Sequence, residues 1–332
     1  MPTYNQNSGY GNALLNAVHS AVPTFGRVFV VFDSANTDEE NYFKMQDVIK
    51  HDPAGVLRFY TSLSDAYTAA ESNNNDVIVV DNNSSHVQTT KITVSKNRLH
   101  FIGLDFLLGM RKPHGQGAKI TIAGSTAGND GVIENTGVRN SYRGLKFEST
   151  NTSTSALWAF KEGGEFTYFD SCHFVKNAIV TTTTAADLLM NGDSSMFFNC
   201  MFGYSSVAIT ANGNRPCVDL GRETISGKVC RDGIFDKCIF MRRANDSDNS
   251  FIYGDGATDV ERMLLVRDPI FWQDALASAN MDECISCTAQ TNGTILVTGN
   301  IGATGTPASI STSTGVFIAT AGMDGTTPEA TA

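Results

Sequence analysis

The sequence predicts a mainly β protein: a solenoid of stacked parallel coils, with a small N-terminal α/β region before it and a Gly/Thr-rich β C-terminus after it. Three observations carry that prediction. Helical periodicity ends at Asn73-Asn74-Asn75, and beyond it come short β-branched strands separated by Asn, Ser, Gly and His turns. A six-residue pattern recurs along the body at intervals that suit one coil per repeat. The 332 residues are 41% hydrophobic and 9% aromatic but only 17% charged, so the chain folds, and its polar surface is built from Ser, Thr and Asn.

Residues 1–10 are rich in Asn, Gly and Tyr and have no apolar set of their own, which makes them either a docking arm or a disordered terminus. Asn12–Val22 has helical spacing at Leu14, Leu15, Val18 and Ala21 and stops at Pro23, and Arg27–Phe32 is a β-branched and aromatic strand. A second helix begins at Thr37-Asp38-Glu39-Glu40, a capping box in which Thr37 and Glu40 satisfy free backbone amides. Tyr42, Met45 and Ile49 form its apolar stripe, and His51-Asp52-Pro53-Ala54-Gly55 ends it. Residues 1–55 are thus an N-terminal arm and α/β docking region, 56–290 the solenoid body, and 291–332 a Gly/Thr-rich latch or tail.

The body opens with a strand at Val56–Tyr60 and a short amphipathic helix (Leu63, Ala66, Tyr67, Ala70) capped by Ser62. Strands follow at Asp76–Val80, Lys91–Val94, Leu99–Ile102 and Lys119–Ile122. The repeat is Phe169-Asp170-Ser171-Cys172-His173-Phe174, Phe197-Phe198-Asn199-Cys200-Met201-Phe202 and Phe235-Asp236-Lys237-Cys238-Ile239-Phe240. Tyr142-Arg143-Gly144-Leu145-Lys146-Phe147 is a looser copy, and the closing Phe residues recur 27, 28 and 38 residues apart. Alternation in a strand turns each Cys and its closing Phe to one side, so stacked coils place thiol over thiol and ring over ring. The longest interval, with Arg215-Pro216-Cys217 and Gly221-Arg222-Glu223, is expected to carry a loop on the outside of its coil. Glu261–Trp272 reads as a further apolar rung, with C-terminal strands at Thr294–Val297 and Val316–Ala319.

The run from Phe59 to Asp105, with its helix Ser62–Glu71, its strands Val77–Val80 and Ile92–Val94, and then Asn97-Arg98-Leu99-His100-Phe101-Ile102-Gly103-Leu104, resembles the opening of a pectin-lyase-like right-handed parallel β-helix. In that family a short helix caps the open end of the coil, and the Cys-x-Phe repeats resemble its later rungs. The resemblance covers about residues 56–290. It implies a single-stranded right-handed parallel β-helix, in a family that contains lyases, glycoside hydrolases and phage tailspikes.

Chemistry is then tested residue by residue. With 24 basic residues outnumbered by 34 acidic ones and a net charge of −10, nucleic acid is not an expected partner. The longest apolar stretches, Val28–Phe32 and Phe101–Met110, fall far short of the roughly 20 residues a membrane span needs. Met1–Asn7 lacks the basic start and apolar core of a secretion signal, so synthesis in a cytoplasm is expected. Seven Cys cannot all pair within one chain, and Cys284-x-x-Cys287 has no second pair to make a zinc site; it reads as a structural thiol pair. His19, His51, His86, His100, His114 and His173 are dispersed.

Polygalacturonase-like members carry Asn-Thr-Asp, Asp-Asp, Gly-His-Gly and Arg-Ile-Lys. Here Asn135-Thr136-Gly137 lacks the final Asp, no Asp-Asp occurs, and Pro113-His114-Gly115 stands alone. Arg267-Asp268-Pro269 matches only the first half of the pectate-lyase-like Arg-x-Pro-x-x-Arg and reads as a turn with an Asp hydrogen bond. Asp170 and Asp236 hold equivalent rung positions two coils apart, with Asn199 between them, and read as structural polar groups rather than a glycosidase pair. Glu162 and Glu165, in Lys161-Glu162-Gly163-Gly164-Glu165, read as a tight turn. Gly115-Gln116-Gly117 lacks the strand-to-helix setting of a nucleotide loop.

No catalytic, cofactor-binding or metal-ligating residue is therefore assigned, no cofactor is expected, and no binding residue is identified. The resemblance implies a non-enzymatic bacteriophage virion protein: a β-helical capsid decoration or tail spike, docked by its N-terminal region and located in the virion. Its expected partners are other phage structural proteins and copies of itself, most often as a trimer. The alternatives are a tailspike depolymerase or a glycan-binding adhesin acting on host surface polysaccharide.

Overall fold

In a computed structural model the chain is described over residues 26–33, 55, 57–82, 85–107, 117–125, 128, 130–153, 156–177, 185–209, 215–221, 229–244, 248–275, 281–287, 290–304, 307 and 309–319. The arm at residues 1–10, the helices expected at Asn12–Val22 and from Thr37, Pro113-His114-Gly115, Gly115-Gln116-Gly117, Arg222-Glu223 and the end of the tail lie outside these residues, wholly or in part.

Strands β1 (Val28–Val31) and β2 (Phe59–Tyr60) come first, then helix α1 (Leu63–Ala69). Ser62 caps α1 as its sequence predicts, the hydroxyl accepting the Asp65 amide at 3.4 Å. Leu63, Ala66 and Ala70 bury the helix against the core formed with Ile78, Val80, Ile92 and Val94. Each later coil adds one strand to each of three sheets. The first coil is β3 (Val77–Val80), β4 (Ser85–Gln88) and β5 (Ile92–Val94); the second is β6 (His100–Gly103), helix α2 (Leu104–Leu107), β7 (Ala118–Ile122) and β8 (Ile133–Asn135). Then follow β9 (Ser141–Arg143), β10 (Leu145–Ser149) and β11 (Trp158–Glu162), and after them β12 (Tyr168–Asp170), β13 (His173–Lys176) and β14 (Ala186–Met190). The fifth coil is β15 (Met196–Phe198), β16 (Met201–Ile209) and β17 (Val218–Asp219); the sixth is β18 (Gly233–Asp236), β19 (Ile239–Ala244) and β20 (Ile252–Tyr253). The seventh is β21 (Met263–Arg267), β22 (Ile270–Ala275) and β23 (Ile285–Ser286), and β24 (Thr294–Thr298), β25 (Gly302–Thr304) and β26 (Val316–Ala319) extend the stack.

The result is three sheets of 11, 8 and 7 strands among the described residues. Neighbouring strands pair in parallel, one coil on the next. This is the single-stranded parallel β-helix that the sequence predicts. β1, from the stretch assigned to the N-terminal region, lies in the first sheet with Val28–Val31 registered on Val77–Val80. At the other end β26 pairs with β24 of the same chain.

The repeat is a corner flanked by two strands, where the sequence reading had a single strand. Its opening aromatic lies one residue before the end of a strand of the first sheet, and its closing Phe belongs to the second. Between them Gly144, Ser171, Asn199, Lys237 and Asp268 turn the chain at φ 59°, 55°, 51°, 55° and 49°. Glu261–Trp272 divides in the same way, at Asp268, into β21 and β22. Left-handed backbone costs a non-glycine residue roughly 1–2 kcal/mol. Here each turning amide continues the ladder onto the next coil: Ser171 N–H donates to Phe198 O at 3.0 Å, Asn199 N–H to Asp236 O at 2.9 Å and Lys237 N–H to Arg267 O at 2.8 Å. A second corner, entering the first sheet, repeats the device at Arg98, Arg139, Phe166, Ser194 and Asp232.

Two ring ladders fill the coil. Phe147, Phe174, Phe202, Phe240 and Phe271 stack at centroid spacings of 5.4, 5.0, 5.1 and 5.3 Å, so the expected ladder runs one coil further than the repeat. Phe101, Tyr142, Phe169, Phe197 and Phe235 form the other, at 5.0, 5.0, 4.4 and 4.9 Å. The two meet edge to face, as at Phe169–Phe174 and Phe235–Phe240. Cys172, Cys200 and Cys238 stack beside them, and all seven Cys are buried and unpaired.

Two other expectations change. Ser85–Gln88, polar enough to suggest a turn, is the first strand of the second sheet. Arg215-Pro216-Cys217 is not an outside loop: Arg215 and Cys217 are buried, and the segment leads directly into β17.

Candidate functional site

The in-register row at the end of the first sheet is Arg143, Asp170, Phe198, Asp236 and Arg267. Phe198, not Asn199, separates the two aspartates, because Asn199 forms the corner. Neither aspartate faces a second carboxylate there. Arg267 takes Asp236 in a bidentate pair, with Nε at 3.0 Å and Nη2 at 2.5 Å, while the Ser171 hydroxyl donates to Asp170 at 2.9 Å. Asp268 is the corner residue expected of a turn, its Oδ1 accepting the Asn300 amide at 2.7 Å.

Glu162 does not sit in a turn. It ends β11 with 0% of its surface exposed, and burial pushes its carboxyl up to about 7. Four groups donate to it: Asn135 Nδ2 at 2.9 Å, Thr167 Oγ1 at 2.9 Å, Ser195 Oγ at 3.1 Å and the Gly164 amide at 3.0 Å. Asn135 in turn accepts from Asn140 and Tyr142. Such a raised acid is what general acid catalysis uses. Substrate has no room beside it, since even a Cβ added at Gly192 would lie 2.9 Å from its Oε1. Glu165 makes isolated bridges to Val138 and Asp193 on the neighbouring coils.

Polar groups on the outer faces are tied to one another. On the second sheet Glu148 meets Lys119 at 2.7 Å, Lys146 at 3.2 Å and Asn177 at 2.6 Å. Burial alone would raise its pKa, but the bonds from Lys119 and Asn177 and the charge of Lys146 hold it at about 2. Lys146 also lies over the Tyr204 ring, which stacks on His173. On the third sheet Lys91 and Lys161 alternate with Asp130 and Glu134, with Lys91–Asp130 at 2.7 Å and Lys161–Asp130 at 3.0 Å. Beyond these, Trp272 (46% exposed) and Ile270 (41%) stand open on β22.

A buried ion pair joins the second and third sheets. Asp187 on β14 takes Arg242 on β19 at 2.6 Å and accepts the Lys176 amide at 2.7 Å. Burial still raises its carboxyl against the pull of Arg242. The sequence reading missed one acidic pair, Asp255 and Asp259, in Asp255-Gly256-Ala257-Thr258-Asp259. Burial raises Asp259, the Gly256 amide bound to its Oδ2 at 2.7 Å opposes that, and the charge of Asp255 adds to the rise. The available signal was two Asp residues four apart around a glycine.

The remaining candidates are accounted for locally. His86 and His173 bond to the carbonyls of Asp81 and Gly203, and His100 to the Ser141 hydroxyl. Burial, with the nearby Arg143, lowers His100 to about 4. Cys284 and Cys287 flank β23, and burial raises Cys284 to about 12, which makes it an inert thiol. His19, His51 and His114 lie outside the described residues. No group of three metal-ligating side chains occurs among the described residues, and no described helix is long and apolar enough to cross a membrane.

No family model matches the chain, and no curated protein matches it. Solved structures do. The pectate lyase Pel9A aligns at 11% identity and TM-score 0.50, over 90% of this chain and 69% of the lyase. Pectin methylesterase PemA from Erwinia chrysanthemi aligns at 14% identity and TM-score 0.46, over 84% of this chain and 81% of its own. A carrot pectin methylesterase aligns at 14% identity and TM-score 0.40, over 89% of each chain. At these identities the likeness establishes the fold alone, a right-handed parallel β-helix.

Proposed function

We propose that this chain is a non-enzymatic β-helical structural protein, a surface element of a bacteriophage particle. The supporting observation is the ion pairing of the outer faces: Glu148, Asp130, Glu134 and Asp236 each meet a cation of their own chain. Carboxylates so held stiffen the rods and are not free to serve as acid and base. The virion assignment rests on the order of regions, a docking end before a solenoid and a Gly/Thr-rich end after it, which resembles phage structural proteins with pectin-lyase-like bodies. In this reading the N-terminal region docks to other capsid or tail proteins, and the rods associate as trimers.

A second reading, a polysaccharide hydrolase or lyase, is favoured by Asp255 and Asp259. There the raised Asp259 would be the acid and Asp255 its partner. A reducing-sugar assay on host capsule and lipopolysaccharide separates the two. The structural reading expects no turnover by the wild type. Turnover abolished in Asp259→Asn would overturn it, while cell binding without product would mark a glycan-binding adhesin. Labelling of purified particles in electron microscopy tests the virion assignment directly: absence of the protein from particles would end it.

A further inference from the structure

Strands of the first sheet turn every second residue outward, between inward rings such as Phe169, Phe197 and Phe235. One register row of that outer face is apolar over six successive rungs: Tyr168, Met196, Ile234, Leu265, Leu296 and Phe317. Each of these side chains is partly exposed. At one residue per strand spacing the row runs for about 24 Å. A continuous apolar row of that length is more than scattered surface hydrophobicity and marks a contact surface.

Charge flanks the middle of the row on both sides. Two residues before Ile234, Asp232 pairs with Arg262 of the next coil; two residues after it, Asp236 pairs with Arg267 at 2.5 Å. Arg262, Arg267 and Asp232 keep 58%, 47% and 38% of their side-chain surface exposed. Both ion pairs point the same way along the rod, acid on the sixth coil and base on the seventh. Two rods laid face to face in parallel would set Asp236 against the partner's Asp232 and Arg267 against the partner's Arg262. One rod turned end over end, about a line along the strands between these coils, reverses that. Asp232 then meets the partner's Arg262, and Asp236 the partner's Arg267. The same turn lays Ile234 on the partner's Leu265, Met196 on the partner's Leu296 and Tyr168 on the partner's Phe317, which covers the whole row at once. Like charges repel and opposed ion pairs attract, so the charge pattern selects the antiparallel arrangement.

We propose that the outer face of the first sheet binds a second copy of this chain, as an antiparallel two-fold pair centred between Ile234 and Leu265. A two-fold contact uses one self-complementary patch on both copies, and an apolar centre with a charged rim is the anatomy of a specific interface. The pairing goes beyond the virion reading and does not depend on it. The parallel rods of a trimer must use another face, and this contact then joins two trimers.

Sedimentation equilibrium of the full-length protein, at about 0.15 M salt so that long-range repulsion between acidic chains is screened, reads the assembly mass. Leu265→Asp, an outward change at the centre of the row, should halve the mass relative to wild type, whether the wild type holds two chains or six. Arg262→Glu combined with Arg267→Glu, both exposed, should do the same. Spin labels read the orientation. In the antiparallel pair, labels on Thr298→Cys lie three coils from their mates, roughly 14 Å along the rod, and labels on Arg143→Cys lie seven coils away, roughly 34 Å. A single separation common to both sites is the mark of a parallel contact and would overturn the proposal, as would equal masses for wild type and Leu265→Asp. Should Leu265→Asp fail to fold, the arginine variant and the label separations decide the matter.

Discussion

At the residue scale the buried Glu162 makes the clearest forecast. Its carboxyl is raised from an ordinary 4.5 to about 7, so between those pH values the folded protein holds a proton that the unfolded chain releases. Stability from this group is therefore full below pH 4.5 and is lost as pH rises through 7, by about 3 kcal/mol. His100 acts in the opposite sense below pH 6.5, because burial and Arg143 keep it neutral when folded. Burial also lowers Lys176 to about 8, which adds stability as pH rises, so the readout is the difference between wild type and Glu162→Gln. Between pH 5 and 8 the wild type should lose about 2–3 kcal/mol relative to the variant, measured by denaturant titration at both ends. An unchanged slope in the variant would locate the titrating group elsewhere. None of this was legible from Lys161-Glu162-Gly163-Gly164-Glu165, where two glycines suggest a tight turn. The polarity of the coil interior depends on Asn135, Thr167 and Ser195, which come from neighbouring coils and share no local pattern with Glu162.

At the level of the element, the ladder was legible and the corner was not. Alternating Cys and Phe one coil apart are a direct record of stacking, and Phe174 lies between Phe147 and Phe202 at 5.4 and 5.0 Å. Phe174→Ala should cost roughly 3–5 kcal/mol in a denaturant titration, since two stacked neighbours and the edge contact to Phe169 are lost together. The corner hid because a left-handed residue is usually announced by Gly or Asn, and here Ser171 and Lys237 hold the same place as Gly144 and Asn199. What sets that conformation is the carbonyl one coil away, which no single repeat contains. Asn199→Val should destabilise by about 1–2 kcal/mol while Asn199→Gly stays near neutral. Equal loss in both would mean that the Asn199 side chain, through its bond to Ser171, matters more than its backbone.

Over the whole molecule the rod is a one-dimensional object, in which each coil is stabilised by its two neighbours and the ends need covers. α1 covers one end with Leu63, Ala66 and Ala70. At the other, β24 and β26 continue the first sheet and bury Ile295, Val297 and Val316. The composition that reads as a linker, Gly, Thr, Ser and Ala, therefore contributes a structural cover as far as Ala319, because strand pairing asks only for backbone and a few inward aliphatic groups. Removing residues 291–332 should bare the amide edge of Met263–Arg267 along with Leu264 and Val266 beneath it. An uncovered parallel edge of that length is an aggregation site. The truncated chain should melt several degrees lower and elute as higher-order species in size-exclusion chromatography. If instead it stays monodisperse with an unchanged melting temperature, the stack is already closed at β21, and the strands beyond it carry no share of the rod's stability.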